Sequence, residues 1–550
     1  MTGIDVALVG DERQENLGLR SIMAYLQEQG KSVALVPFLP EDKGAVLSAV
    51  RELTPRLVGF SIIFQYALDQ FGDLMGYLRS RGVKSHFTCG GHFPSLRPTE
   101  TLELLPCLDS VVRFEGELTL TDLLNHVERP EDWRRIPNLA FRDGARVVTT
   151  EVGPSVPDLD ALPPVHRDEP RYAADGIKVA PMLASRGCLF NCSFCSIRQF
   201  YGQSRGELRR VRSPRAVTNE MLFLYERKGV RFFNFQDDDF AVRTSSQLEW
   251  LDDFLRELDR TGLAANTRWK VSCRVDELRL EVLERMRDHG LMGVFLGVES
   301  ANEAGLRTLN KHVTAAQNLA AVELLKRAGL AMSMGFMMFD PSSTFETIRE
   351  NLGFLRAVGE DGYFPINFCK MLPYAGTPIE AELSAAGRLT GTVTQPNYGF
   401  VDPAVDWYEA LVQQTFARRN FGADGNVALL QQADFQCRLA QALGLMNYPA
   451  HFQDRLRRLI SRTNKLALDT MELLIKELTA RGLDPLLDEE RTLVEIAERE
   501  WRGEMETEVE LAALLAGARP VNNSPQRGPQ PAESANPMRP GRESVAARSG

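Results

Sequence analysis

A chain of 550 residues exceeds one ordinary domain and predicts two or three. Its 44% hydrophobic and 25% charged residues are those of a folded globular protein. The net charge of −10 leaves no basic surplus to neutralise phosphates, which argues against a nucleic-acid binder.

The opening MTGIDVALVGDERQ lacks a basic n-region and meets Asp5 and Asp11 too early for a signal peptide. The longest apolar stretch, residues 57–68, is broken by Ser61 and Gln65 and is too short to span a bilayer. A cytoplasmic enzyme is therefore expected, with eight cysteines that signify metal or redox chemistry rather than disulfides. Residues 4–9 form an apolar run that predicts a buried strand ending at Gly10. Residues 16–29 predict a helix with Leu19, Ile22, Met23 and Leu26 on one face and Gly30 as its stop. Strands over 33–37, 56–63, 84–88 and 110–114 then alternate with helices over 45–53, 68–81 and 118–126. This alternation predicts an α/β fold for residues 1–150, a doubly wound, flavodoxin-like parallel sheet.

Such sheets bind ligands beyond the carboxyl ends of their strands. The loops at those ends are Gly10 with Glu15-Asn16-Leu17-Gly18, then Gly59-Phe60-Ser61, Gly90-Gly91-His92-Phe93-Pro94 and Arg113-Phe114-Glu115-Gly116-Glu117. Their glycines let backbone approach a ligand closely. Residues 136–144 read as a hairpin with an Asp-Gly turn. Residues 151–175 carry Pro154, Pro157, Pro163, Pro164 and Pro170 and are expected to form a stiff, extended linker that lets one domain lie over the mouth of the next.

From 176 to about 390 the alternation resumes. Strands are expected over 179–185, 231–236, 269–273, 293–296, 331–339 and 363–372, with helices over 217–227, 248–261, 281–289, 315–328 and 344–358. Behind the first strand lies Cys188-Leu-Phe-Asn-Cys192-Ser-Phe-Cys195, a C-x3-C-x2-C spacing. Three thiolates so placed can hold three corners of an iron–sulfur cube. Such clusters normally take four ligands, and the missing fourth leaves one iron open to a small molecule. The spacing is not the paired C-x2-C of structural zinc, and no His or further Cys nearby closes a tetrahedron.

This loop, with the aromatic Phe194 before its last cysteine, resembles that of the radical S-adenosylmethionine (SAM) superfamily. About six βα units fit the partial barrel of that superfamily, with its active site at the C-terminal strand ends. The resemblance implies that Cys188, Cys192 and Cys195 hold a [4Fe-4S] cluster whose open iron chelates the amino and carboxylate groups of SAM. It also implies SAM contacts at strand ends: Asp237, Asp238 or Asp239 on the amino group or pocket wall, Ser272 and Arg274 near the carboxylate or ribose, Glu299 on the ribose, and Gly335 with Met337 on the strand that passes adenine. Cys273 and Cys369 end strands too and are expected to be buried, inert thiols.

Upstream, the GGHFPS and VVRFEGE stretches resemble the cobalamin-binding domain of the cobalamin-dependent radical SAM family. That resemblance implies that Asn16, Gly18, Ser61, Gly90, Gly91, His92, Glu115 and Gly116 surround the corrin and its nucleotide tail. No D-x-H-x-x-G supplies a histidine to cobalt. His92 is expected to touch the tail or cap a turn, and the lower cobalt face to carry water or nothing. A flavodoxin-like module that binds no corrin is the alternative.

Residues 391–516 show helical patterning without metal spacing or glycine-rich loops. Residues 517–550, rich in Pro, Ser, Gly and Arg, are expected to be disordered. The family resemblance implies C-methylation of a small molecule or peptide, using a 5′-deoxyadenosyl radical, methylcobalamin and an external flavodoxin- or ferredoxin-like electron donor. Rearrangement, ring contraction or cyclisation with the same cofactors is one alternative, and a non-enzymatic corrin-binding module is another.

Overall fold

Strand β1 (Val6–Gly10) is buried at every position, as its unbroken apolar run requires of a central parallel strand. It pairs in parallel with β2 (Val33–Pro37) and β3 (Leu57–Ser61). Strands β4 (His86–Gly90) and β5 (Ser110–Val112) extend the sheet in the same sense. The order β2-β1-β3-β4-β5 is the flavodoxin-like one, with its switch point between β1 and β3. Helices Lys43–Leu53 and Leu68–Ser80 bury one face through Val9, Val58, Phe60 and Phe87. Helices Leu17–Glu28 and Gly116–His126 bury the other through Val6, Leu8 and Leu57. The sheet is not parallel throughout. The hairpin of β6 (Leu139–Asp143) and β7 (Arg146–Thr149) adds two antiparallel strands at its edge.

This computed structural model describes residues 3–170, 173–174, 176–449, 451–481, 489–517 and 519–520; the tail expected over 517–550 lies almost wholly outside them. The connector after β7 is a packed strap rather than a free spacer. Arg167 pairs with Glu15 of the first sheet and, at 2.6 Å, with Glu220 of the barrel, all three side chains buried. Arg20, fully buried, pairs with Glu12 at 2.7 Å and with Asp168 of the connector at 3.1 Å.

The second sheet begins with the antiparallel edge strand β8 (Ala173–Ala174) and β9 (Ile177–Met182). Strands β10 (Ser185–Gly187) and β11 (Arg209–Val211) form a separate antiparallel ribbon. Strands β12 (Val230–Phe235), β13 (Arg268–Arg274), β14 (Leu291–Glu299), β15 (Ala331–Phe339) and β16 (Cys369–Lys370) then continue the sheet in parallel from β9. The strand expected over 179–185 thus breaks after Met182. The strand expected over 363–372 shrinks to two residues because a side chain takes its backbone partners. Asn464 Nδ2 donates to the carbonyls of Phe364 and Gly359 at 2.9 and 2.8 Å, and its Oδ1 accepts from Ile366 N–H at 3.0 Å.

Six parallel strands curl into a half-barrel. Trp269, Val271, Val294, Leu296 and Val298 point outward into the layer of helices and are fully buried. The alternate positions share the concave face: Asn234, Lys270, Ser272, Phe295, Ser333, Gly335 and Met337. Phe295 keeps 39% exposure in the middle of a fully paired strand, so the space in front of it is open. Helix Asn426–Ala442 closes the lower end, with Phe435 edge-on to Phe232 at 4.7 Å and Leu439 and Ala440 buried beside Ile177. Helices Pro403–Phe421, Phe452–Arg481 and Glu489–Leu515 complete the carboxyl-terminal region.

Candidate active site

The cysteine loop leaves β10 at Gly187, whose φ of +87° and whose missing Cβ (it would lie 2.0 Å from the Leu208 carbonyl) both demand glycine. The loop is tied down by the carboxyl end of the short helix Glu303–Thr308 and the residues just after it. Ser193 N–H donates to the Leu309 carbonyl at 3.0 Å and its hydroxyl to the Thr308 carbonyl at 2.7 Å, while Asn310 donates to the Asn191 carbonyl at 2.8 Å. Phe194 packs against the main core. Cys188, Cys192 and Cys195 are free thiols. Burial raises Cys188 to about 12 and Cys195 to about 11, so without metal both keep their protons; a coordinating metal displaces such a proton outright. Among the described residues no three His, Cys, Asp or Glu side chains converge on a single metal ion. Three cysteines on one short loop suit a cube, where each thiolate holds a different iron. The donor set fits the cluster.

The strand ends divide the labour among the polar residues that the sequence singled out. Asp237 turns inward, accepting from Ala184 N–H at 3.1 Å and from the Ser185 hydroxyl, so its carboxylate braces the chain rather than meeting a ligand. Asp238 accepts from Gly187 N–H at 2.9 Å, at the root of the cysteine loop. Burial raises both to about 6. Arg274 also serves the loop. It donates to Asp276 at 3.0 Å, to the Lys311 carbonyl at 2.6 Å and to Cys192 Sγ at 3.5 Å, and its guanidinium lies 3.8 Å from the Phe190 ring centroid. Glu299 holds a left-handed φ of +67°, a strained conformation for a side-chain-bearing residue, and pairs with Lys311 at 3.1 Å. Gly335 makes room for this arrangement, since a Cβ there would stand 3.0 Å from Glu299 Oε2 and 3.3 Å from the Phe295 ring. Ser272 lies on the concave face beside Phe295. Cys273 is buried with a strongly raised pKa, and burial raises Cys369 to about 12, which keeps both protonated.

Above the barrel mouth a cleft of about 870 Å³ separates the two sheets. Its lining includes Asn16, Gly18, Ser61, Gly90, Gly91, His92, Glu115 and Gly116 from the first sheet, and Leu183, Arg186, Phe200, Tyr201 and Asp238 from the second. All eight loop residues singled out in the first domain therefore line one cleft, together with Arg186 and Asp238 at the root of the cysteine loop. Asn16 Oδ1 caps helix Leu17–Glu28 by accepting from Leu19 N–H at 3.1 Å. Gly91, at φ +125°, lies so close to Ile62 that a Cβ would come within 2.1 Å of its carbonyl oxygen. The His92 ring stacks obliquely on Phe200 at 4.6 Å, and burial lowers it to about 4, so it is neutral. Glu115 is committed to the second sheet, pairing with Arg186 at 3.0 Å and Arg210 at 2.6 Å. Glu117 joins this network through Arg186 and the Ser21 hydroxyl, both at 2.8 Å. The wide floor, glycine-lined loops and apolar walls fit a large flat cofactor. Arg186 and Lys311, which hold much of the site together, carry no motif in the sequence beyond their charge.

The comparisons with known proteins agree with this geometry. The B12 binding domain family matches residues 5–124 and the Radical SAM superfamily residues 182–355. The chain is 26% identical over 395 residues to the uncharacterized methyltransferase PH0819 of Pyrococcus horikoshii, covering 71% of this chain and 82% of that one. It is 32% identical over 303 residues to the anaerobic magnesium-protoporphyrin IX monomethyl ester cyclase of Cereibacter sphaeroides, covering 54% of this chain and 48% of that one. The fold is similar to that of the cobalamin-dependent S-adenosylmethionine radical enzyme OxsB, with a TM-score of 0.69 at 17% identity over 94% of this chain and 80% of that one. A half-barrel with an open-ligand cysteine loop, roofed by a B12-binding sheet, defines an enzyme of radical chemistry. The chain belongs to the cobalamin-dependent radical SAM enzymes, and its cofactors are a [4Fe-4S] cluster, SAM and cobalamin.

Proposed function

We propose that the protein is a C-methyltransferase acting on a small molecule or peptide. The observation that carries this reading is a single cleft lined both by the loops of the first sheet and by Arg186, Phe200, Tyr201 and Asp238, which flank the cysteine loop. When bound, the cluster and SAM supply a deoxyadenosyl radical that removes hydrogen from carbon, and cobalamin supplies a methyl group. The chain's own part is placement. Arg274 and Asp238 fix the cysteine loop from two sides, and the Arg186–Glu115–Glu117 network holds the cleft closed over it. The likeness to PH0819, named a methyltransferase, supports methyl transfer. The likeness to the magnesium-protoporphyrin cyclase favours a second reading, in which the same cofactors cyclise or rearrange the substrate without methyl transfer.

Among the described residues no helix is long and apolar enough to cross a membrane. A cytoplasmic enzyme reduced by a small flavodoxin- or ferredoxin-like donor accords with this reading. The test is an anaerobic reaction of the protein reconstituted with iron, sulfide and cobalamin, given SAM, reductant and candidate substrates, beside a variant carrying Cys188→Ala, Cys192→Ala and Cys195→Ala. Deoxyadenosine and S-adenosylhomocysteine together, from the parent alone, are expected. Deoxyadenosine with a rearranged or cyclised product and no S-adenosylhomocysteine selects the second reading. A parent that assembles no cluster ends both.

A further inference from the structure

Behind the strand ends, the concave face carries a cation that the SAM and corrin assignments leave unused. Lys270 lies on β13, in register with Asn234 on one side and Gly293 on the other. Gly293 offers no side chain, and the lysine crosses over it to donate to the Ser333 hydroxyl at 3.3 Å. Ser333 pairs with Phe295, and Phe295 with Ser272. The ammonium group therefore lies one pleat nearer the mouth than its own Cα, level with these three residues.

No carboxylate balances it among the described residues, and burial alone lowers its pKa. The neighbouring barrel lysines differ: Lys311 faces Glu299 at 3.1 Å and Lys370 faces Glu409 at 3.0 Å. Withdrawing an ammonium group even partly from water without a counter-ion is costly, and Lys270 is half-buried here with the Ser333 hydroxyl as its hydrogen-bond partner. Beside it, Phe295 stays 39% exposed, an apolar surface with space in front of it.

We propose that Lys270 anchors an anionic group of the substrate, a carboxylate or phosphate-type oxyanion, inside the half-barrel. Ser272 and Ser333 supply further hydrogen bonds to that group. Phe295 and Met337 bear on the apolar body that carries the reacting carbon toward the mouth. The assignment rests on the reading of the concave face as the substrate site and narrows the substrate to an anion.

The test measures binding without turnover, in the reconstituted holoenzyme held anaerobic without reductant. The probes are phenylphosphonate and phenylacetate, which pair an oxyanion with an apolar ring, and benzyl alcohol, which has the ring alone. Both anions are expected to bind saturably to the parent and to Lys270→Arg, and at least tenfold more weakly to Lys270→Met. Benzyl alcohol should bind all three alike. Ligand-free Lys270→Met should melt no lower than the parent, because it loses an unpaired charge; Lys270→Gln replaces it if the apolar variant does not fold. Equal anion binding by parent and Lys270→Met overturns the proposal, as do anions that bind the parent no better than the alcohol. A failure of methyl transfer with any substrate would count against the proposed reaction and leave this binding result standing.

Discussion

At the scale of single residues, the most unusual chemistry is the carboxyl pair of Asp239 and Glu277, both buried beside Arg274. Burial and the neighbouring Asp239 raise Glu277 from 4.5 to about 8, so the pair holds a proton at neutral pH. The unfolded chain releases that proton near 4.5, whereas the folded chain keeps it to about 8. The pair therefore stabilises the fold fully below 4.5, and that contribution is lost as pH rises through about 8. Asp237 and Asp238, raised to about 6, act in the same sense over a lower range. Thermal melts of the ligand-free protein should show stability falling between about 6 and about 8, and Glu277→Gln should flatten that fall. An unchanged slope in the variant would place its source elsewhere. Gly91 makes a second, steric case. Gly91→Ala combines a disfavoured φ with a collision against the Ile62 carbonyl and should cost at least about 2 kcal/mol in urea unfolding, with loss of corrin retention. Gly82→Ala, at φ +85° but with nothing within 4 Å, should cost less and spare the corrin.

Among elements, the β10–β11 ribbon and the loop after β5 form the clasp between the two sheets. Arg186 of the ribbon satisfies Glu115, Glu117 and Ser21 at once, and removing it leaves the buried Glu117 carboxylate without its counter-ion, while Glu115 keeps Arg210. Arg186→Met should weaken the docking of the first sheet by about 3 kcal/mol, detected as faster proteolysis of the connector and corrin lost on gel filtration. Retention equal to the parent would show that the clasp is dispensable. The sequence made the strands legible because an apolar run bounded by glycine can hardly do anything else, and the cleft loops legible because close backbone approach demands glycine. It overextended β16, expected over 363–372, because Asn464 from the carboxyl-terminal helices claims the backbone ahead of Cys369–Lys370. The Asp237–Asp239 triplet was visible as a group, but its division of roles was not. Ser185 and Gly187, some fifty residues earlier, decide which carboxylates brace the loop. Lys270 had no signal at all, since a lysine in a strand reads as an exposed position until its neighbours are known.

For the whole molecule, the carboxyl-terminal helices, featureless as motifs, act as the floor of the half-barrel. Phe435 seals it against Phe232 and the apolar residues around Ile177. Phe435→Ala should lower stability by about 3 kcal/mol and let a polar quencher reach the concave face, both measurable on the ligand-free protein; an unaltered melting temperature would mean the seal lies elsewhere. The roof is held differently, by the connector whose Arg167 grips both bodies through buried ion pairs. Buried pairs are little screened, so raising salt should not loosen them. A broad guest lodged between plates strapped in this way departs only when the strap lets go. Its dwell time is then a property of the protein's own opening, and a clock that starts anew each time the strap refastens.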